Sequence, residues 1–310
     1  MAREDPRPAY KDVCVLIPTL NEEESIEPVI REFKALGFES ILVADGHSTD
    51  GTVAKARAAG ARIFLQSGTG KGQALKEVFE EIEEEYILLI DGDGTYLPSE
   101  AALLLEPVLK GRADHVVGNR LGNVQGGALK RLNMFGNKMI NLFFATIYRV
   151  HLTDILSGYR AFTTEGIRRL DLTMTGFEIE SEITIESVKK GLRIIEVPIT
   201  YMPRPAGTKT KLHPFRDGFK IILTIFRMAK TENPMFYFGL IGSLFGLLGF
   251  FIGLYVLSDW LYWRIDHIPL TILTAILIIV GFQLFLIGMQ GDMMASMHRE
   301  IIRELHRKKR

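Results

Sequence analysis

Hydrophobic positions fall along this chain in two regimes. Up to about residue 200 they come in short, largely apolar runs at 13–17, 41–44, 62–65, 87–90, 115–118 and 193–198. Runs of this length, punctuated by Gly, Pro, Asp and Asn, predict strands buried on both faces. Between them lie stretches with helical spacing: 24–36, a helix ending near Gly60, then 73–84, 99–110, 129–148 and 178–190. Ser48, Thr49 and Asp50 offer N-cap oxygens for the second of these. Strands alternating with helices predict an α/β fold, a doubly wound and mostly parallel sheet covered on both sides.

The second regime begins at about residue 212. Phe215, Phe219, Ile222, Phe226 and Ala229 fall on one helical stripe, and Arg216, Lys220, Arg227 and Lys230 on the next. An apolar aromatic face edged with cations suits a membrane interface. Two stretches without charge, 234–257 and 268–291, are each long enough to cross a bilayer. Gly242-x-x-x-Gly246 and Gly249-x-x-x-Gly253 permit close packing, either between the two spans or between protomers of a homo-oligomer. Trp260, Tyr262 and Trp263 are expected in the connecting loop as an aromatic belt. Cations gather outside the pair, at Arg227 and Lys230 before it and Arg299, Arg303 and 307–310 after it. That bias predicts a cytoplasmic N-terminal domain and C-terminal tail. The expected organisation is 1–211 catalytic, 212–232 interfacial and 233–310 a membrane hairpin with a basic tail.

Composition narrows the partners. The 310 residues carry 37 Lys and Arg against 37 Asp and Glu, so net charge points to neither nucleic acid nor an acidic substrate. Hydrophobic content is 47% and mean hydropathy is +0.14, the excess lying after residue 233. The single Cys14 sits inside an apolar run and reads as a buried small hydrophobe. The first dozen residues show no apolar signal-peptide core, so the first domain is expected to stay cytosolic.

Candidate chemistry centres on ILLIDGDGTY, residues 87–96. An apolar strand ends there in Asp91 and Asp93, separated by one glycine. The C-terminal edge of an open α/β sheet is where ligands bind. Paired carboxylates there offer hard oxygens to Mg²⁺ or Mn²⁺ and, through the ion, to a diphosphate. The plainer alternative is an Asp-Gly turn. Gly68-Thr69-Gly70-Lys71-Gly72 resembles a phosphate loop but lacks its Ser or Thr, with Gly72 in that place, and lacks its first glycine, with Leu65 there. Tight strand–helix packing is the expected role of these glycines. Glu178, Glu180 and Glu182 crowd a helix start, where the macrodipole accounts for them.

Six segments occur in one order: Ile17-Pro18-Thr19-Leu20-Asn21-Glu22, Asp45-Gly46-His47-Ser48-Thr49-Asp50, Asp91-Gly92-Asp93, Gly118-Asn119-Arg120, Asp154-Ile155-Leu156-Ser157-Gly158-Tyr159-Arg160 and Arg204-Pro205-Ala206-Gly207-Thr208-Lys209. Together, over residues 12–212, they resemble the family 2 glycosyltransferases of GT-A fold, and among these the dolichyl- and polyprenyl-phosphate sugar synthases. The resemblance implies that Pro18, Asn21, Glu22 and Asp45 line the nucleoside pocket of a nucleotide diphosphate sugar. It implies that Asp91 and Asp93 hold the metal and the donor diphosphate. Two departures stand out. The second motif carries Gly46 where the family often has a second Asp, and Thr95 stands where a Gln often adds a metal ligand.

Cations supply the rest. Arg120, Lys130 and Arg131 are candidates for clamping an acceptor phosphate, since guanidinium forks match phosphate oxygens. Lys130 and Arg131 also suit a solvated helix end. Asp154, Ser157 and Arg160 are expected to position substrate, with an internal Asp154–Arg160 ion pair as the structural alternative. Arg204 and Lys209 flank a glycine-hinged loop expected to close on the diphosphate. The expected reaction is inverting transfer of a hexose from a UDP- or GDP-sugar to dolichyl or polyprenyl monophosphate. Asp93, Arg120, Arg204 and Lys209 would carry it through positioning and electrostatics, because an anionic acceptor needs no strong base. Rival readings are a processive polysaccharide synthase and a non-catalytic nucleotide-sugar-binding adaptor. The first lacks its Gln-x-x-Arg-Trp motif, since neither Trp260 nor Trp263 follows an Arg.

Overall fold

The computed structural model describes residues 10–129, 131–205 and 214–308. The α/β part contains β1 (Val13–Thr19), α1 (Ile26–Ala35), β2 (Ser40–Asp45), α2 (Thr52–Ala58), β3 (Arg62–Leu65), α3 (Lys71–Glu81) and β4 (Tyr86–Leu89). It continues through α4 (Ala101–Leu109), β5 (His115–Asn119), α5 (Arg131–Tyr148), β6 (Arg160–Thr163), α6 (Thr164–Arg168), α7 (Ile179–Lys189) and β7 (Ile194–Pro198). The seven strands form one sheet in the order β3-β2-β1-β4-β6-β5-β7.

Register explains how distant motifs converge. β1 runs parallel to β2 with Thr19 opposite Asp45, and parallel to β4 with Leu16 opposite Leu89. β5 runs parallel to β7 with Asn119 opposite Pro198. The exits of β1, β2, β4, β5 and β7 therefore share one edge. β6 is the exception, antiparallel to both β4 and β5, with Arg160 opposite Leu89 and Val117. An antiparallel strand starts where its neighbours end, so the segment 154–159 that feeds β6 enters at the same edge. The sequence pattern did not mark β6, because Arg160-Ala-Phe-Thr carries a charge and follows a polar loop.

Alternate residues of β1 feed two cores. Val15 and Ile17 pack with Ile26, Phe33, Leu104 and Tyr159 on one face, while Cys14 and Leu16 pack with Leu75, Phe79, Phe162 and Ile183 on the other. Each such side chain contributes roughly 1.5–3 kcal/mol when taken out of water, so the sheet edge rests on a rigid base. Cys14 is fully buried, and desolvation pushes its thiol up to about 12, which leaves it inert.

Contacts divide the chain into Met1–Thr224 and Ile225–Arg310, a division that falls inside α8 (Pro214–Glu232). The stripe read from the sequence is exposed at Phe215, Phe219 and Ile222. A second stripe, Asp217, Ile221 and Thr224, is buried, and the Thr224 hydroxyl meets the Met174 sulfur at 3.9 Å. The first turns of α8 thus belong to the α/β unit.

The second unit contains α9 (Pro234–Trp263) and α10 (Ile268–Lys308). Pro234–Trp263 and Ile268–Met297 are long and apolar enough to cross a membrane. α9 runs six residues beyond the expected end at 257, so Trp260, Tyr262 and Trp263 lie on the helix rather than in the loop. Arg264 ends it in the left-handed region (φ 55) with its guanidinium over the Trp260 ring. Gly242, Gly249 and Gly253 of α9 face α10. A methyl group on Gly242 would come within 2.6 Å of the Gly281 carbonyl oxygen, and one on Gly249 within 3.0 Å of Ile278.

Candidate active site

β4 is buried throughout its apolar run and ends at the sheet edge in Asp91-Gly92-Asp93-Gly94. Gly92 has no room for a side chain, since a Cβ would lie 2.7 Å from the Thr19 methyl. Its carbonyl accepts a hydrogen bond of 2.6 Å from the Ser25 hydroxyl. This pins the loop against the exit of β1 and fixes where the two carboxylates emerge.

Asp93 is almost buried. Its Oδ1 accepts from the Thr95 backbone N–H (3.0 Å) and hydroxyl (2.6 Å), and its Oδ2 pairs with Arg204 at 2.6 Å. Thr95, at the position where the family often has Gln, therefore directs its hydroxyl at Asp93. Asp91 is more open, with its side chain 27% exposed, and pairs with the Lys71 ammonium. Gly158 abuts it, because a Cβ there would lie 2.2 Å from Asp91 Oδ2. The Gly158 N–H donates to the Tyr96 hydroxyl (2.9 Å), which holds that turn in place.

Lys71 carried no role in the sequence analysis and is the main addition. Its ammonium also meets Glu180 Oε1 at 2.5 Å. Burial alone would lower its pKa, but the two carboxylates more than reverse this, so it stays charged. The flanking glycines do serve close packing, against the backbone of 174–175 rather than a strand. Glu182 holds the same loop, accepting from the Thr173 and Met174 backbone N–H groups at 2.9 Å each. Glu180 and Glu182 at the start of α7 are thus engaged by specific donors, beyond the helix dipole. A lysine between two glycines, at a helix start that follows a strand, was the available signal.

The expected nucleoside side lies across β1 and β2. Asp45 is 1% exposed and accepts from the Ser48 N–H (2.8 Å) and hydroxyl (2.5 Å). Asn21, at φ 50, donates its N–H to the Ser48 hydroxyl and accepts the Thr49 N–H, both at 2.8 Å. Glu22 is buried and its N–H donates to Thr52 (2.8 Å), while Pro18 sits opposite Ala44 in the ladder. The two loops are laced together by hydrogen bonds, some neutral and some accepted by the carboxylates of Glu23 and Asp50.

Beyond β5, Arg120 grips Asp154 through Nε and one amino group at 2.8 Å each and lies over the Tyr201 ring. Asp154 also accepts the Arg120 backbone N–H at 3.0 Å. The ion pair of Asp154 therefore forms with Arg120 and not with Arg160. Arg160 is fully buried instead among oxygens, donating to the Ser157 carbonyl (2.7 Å), the Ile155 carbonyl (2.6 Å) and the Thr184 hydroxyl (2.9 Å). Desolvation pulls its pKa down to about 10. His115, 3.3 Å away and stacked on Phe162, is held neutral by burial and by that guanidinium. Ser157 is buried in the same turn. Of the remaining expected cations, Lys130 and Lys209 lie outside the described residues, and Arg131 starts α5 with its side chain undescribed.

Asp91, Asp93 and Arg204 thus come together at one edge, with Lys71 and Gly158 beside them. Among the described residues no group of three or more His, Cys, Asp or Glu could hold a metal ion. Two carboxylates do fit an ion such as Mg²⁺, which binds through one or two carboxylates and completes its shell with water and substrate phosphates.

Comparison with known proteins identifies the family and the fold. A family profile described as Glycosyl transferase family 2 matches residues 14–172. The chain is 44% identical to glycosyltransferase AglJ of Haloferax volcanii over 96% of its own length and 98% of that protein. It is 32% identical to polyprenol monophosphomannose synthase of Mycolicibacterium smegmatis, over 66% of this chain and 84% of the other. Among solved structures, glucosyl-3-phosphoglycerate synthase of Mycobacterium tuberculosis, in complex with Mn²⁺, UDP-glucose and phosphoglyceric acid, superposes with a TM-score of 0.59. That match has 23% identity and covers 70% of this chain and 79% of that one. The sheet is therefore of GT-A type, and the chain belongs to glycosyl transferase family 2 and is a glycosyltransferase.

Proposed function

We propose that the protein moves a hexose, with inversion, from a UDP- or GDP-sugar to a polyprenyl (dolichyl-type) monophosphate. The observation that carries this reading is the pairing of each edge carboxylate with a displaceable side-chain cation, Lys71 on Asp91 and Arg204 on Asp93. A diphosphate arriving with a divalent cation offers each partner a replacement. The likeness to polyprenol monophosphomannose synthase supports a lipid phosphate as acceptor.

In this reading an oxygen of the acceptor phosphate forms the bond to the anomeric carbon while the bond from that carbon to the donor diphosphate breaks. The nucleoside diphosphate leaves with the electron pair, and no proton has to be removed. When bound to Asp91 and Asp93, the divalent cation supplies charge neutralisation of the departing diphosphate. Arg204 exchanges Asp93 for the diphosphate oxygens, with Lys209 expected beside it. Arg120, steadied by Asp154 and Tyr201, has one amino group left over from the ion pair with which to meet the acceptor phosphate, and Lys130 and Arg131 are its expected helpers. The Asp45, Asn21 and Glu22 loops hold the nucleoside, and the Gly158 turn fixes Asp91.

A lipid acceptor needs a route to the site. α5 presents an exposed apolar stripe, Leu132, Phe135, Met139 and Leu142, and α8 presents Phe215, Phe219 and Ile222. Both faces suit a lipid surface. The two candidate spans would anchor the chain, with the catalytic unit and the C-terminal tail on the cytoplasmic side by their cationic flanks.

The test is a panel of labelled nucleotide sugars supplied to the full chain in vesicles containing polyprenyl phosphate. Label should enter the organic-extractable lipid, and both chelation of divalent cations and Asp91→Ala should cut this by about 10³-fold. Undiminished transfer after chelation would refute the metal role. Label in a water-soluble polymer would favour a polysaccharide synthase.

A further inference from the structure

Lys71 stands between a carboxylate at the open edge and one in the interior. Asp91 has a side chain 27% exposed, whereas that of Glu180 is 7% exposed. Glu180 uses Oε1 for the ammonium, and its Oε2 is buried with no hydrogen-bond partner among the described residues. A buried carboxylate oxygen left unpaired is costly, and such a vacancy calls for a donor.

The backbone beneath Lys71 cannot supply that donor by moving. Gly70 adopts φ +99, where a Cβ would lie 2.2 Å from the Thr175 carbonyl oxygen, and a Cβ on Gly72 would lie 2.5 Å from that of Met174. The Gly72 N–H donates to the Thr175 carbonyl at 2.9 Å. The start of α3 is thus clamped, and the freedom that remains is in the four-carbon stem of Lys71. An ammonium has three donors that rotate about such a stem, unlike the fixed fork of arginine.

We propose that Lys71 is a transferable counter-ion. Its ammonium rests on Asp91 while that carboxylate carries no divalent cation, and it passes wholly to Glu180, closing Oε2, when Asp91 takes one up. The inference rests on the reading that Asp91 is a metal ligand. Its consequence is that metal uptake exchanges one cation for another at Asp91, while the interior charge of Glu180 stays neutralised throughout. Lys71 is in this sense a positioning residue, acting on the site through Asp91.

The experiment uses Mn²⁺ alone as the probe, titrated into the full chain in detergent without nucleotide, with free ion read by electron paramagnetic resonance. Lys71→Met removes the competitor and should tighten Mn²⁺ binding about fivefold, the factor associated with a partly exposed ion pair. It should also lower the metal-free melting temperature, because Glu180 is left buried and unpaired. Adding Glu180→Gln to that variant should restore the melting temperature while the tight Mn²⁺ binding persists. Glu180→Gln alone removes the second station of the ammonium and should weaken Mn²⁺ binding about fivefold. This near-isosteric change decides the matter even if Lys71→Met does not fold. Unchanged Mn²⁺ affinity in both variants, or loss of nucleoside diphosphate affinity alone in Lys71→Met, would overturn the counter-ion role and leave the metal reading standing. Failure of the unaltered chain to bind Mn²⁺ would overturn both.

Discussion

Two charged networks share one sheet edge and differ in what encloses them. Around Asp154 and Arg160 the pairing is enclosed: Arg120 commits Nε and one amino group to a fully buried Asp154, and Arg160 is wrapped by two carbonyls and a hydroxyl. Among the described residues Asp91 pairs with Lys71 and Asp93 with Arg204, and Asp91 opens to solvent. A sealed pair fixes geometry, because removing either partner strands the other in low dielectric. A pair with an open side can trade its partner for a ligand. Charge alone does not separate a pair that fixes geometry from one that can trade its partner.

The sharpest way to break the comparison is Asp154→Ala. It leaves Arg120 buried without its partner and should cost about 3–5 kcal/mol of stability, read by denaturant unfolding of the α/β unit within the full chain. A negligible loss would move Arg120 from the sealed class to the exchangeable one. Next comes Gly158→Ala, which places a methyl group against Asp91 Oδ2. Displacing that carboxylate by about an ångström should slow transfer about 10²-fold, with the melting temperature nearly unchanged. The smallest effect concerns His115. It is held neutral in the folded chain, so the unfolded chain binds a proton first as pH falls. Its contribution is therefore complete above about pH 6.5 and is lost as pH drops from there through the depressed folded value. The melting temperature should decline over that interval, and more steeply than in His115→Gln.

The same distinction governs what was readable in the chain. Buried strands such as 13–17 and 87–90 announce themselves by composition, and their C-terminal carboxylates follow. β6 did not, because its register depends on antiparallel pairing with two strands remote in sequence. Lys71 is hard to read because its loop fails the phosphate-loop pattern, and its partners Asp91 and Glu180 are 20 and 109 residues away. The Arg120–Asp154 pair was likewise invisible, since nothing local favours Arg120 over Arg160. On α8 the aromatic stripe is the conspicuous pattern, yet Asp217, Ile221 and Thr224 off that stripe are buried. Short-range pattern reveals elements and their ends; charge partners are chosen by the tertiary fold.

Gly242 against Gly281 and Gly249 against Ile278 place these small residues inside the hairpin. What α9 turns outward is bulky, at Leu240, Leu244, Leu247, Phe250 and Phe251. A neighbouring copy in a bilayer would meet mostly bulky hydrocarbon, interrupted by the small residues Gly239 and Ser243. The two rods should drift through the lipid as one ridged plank.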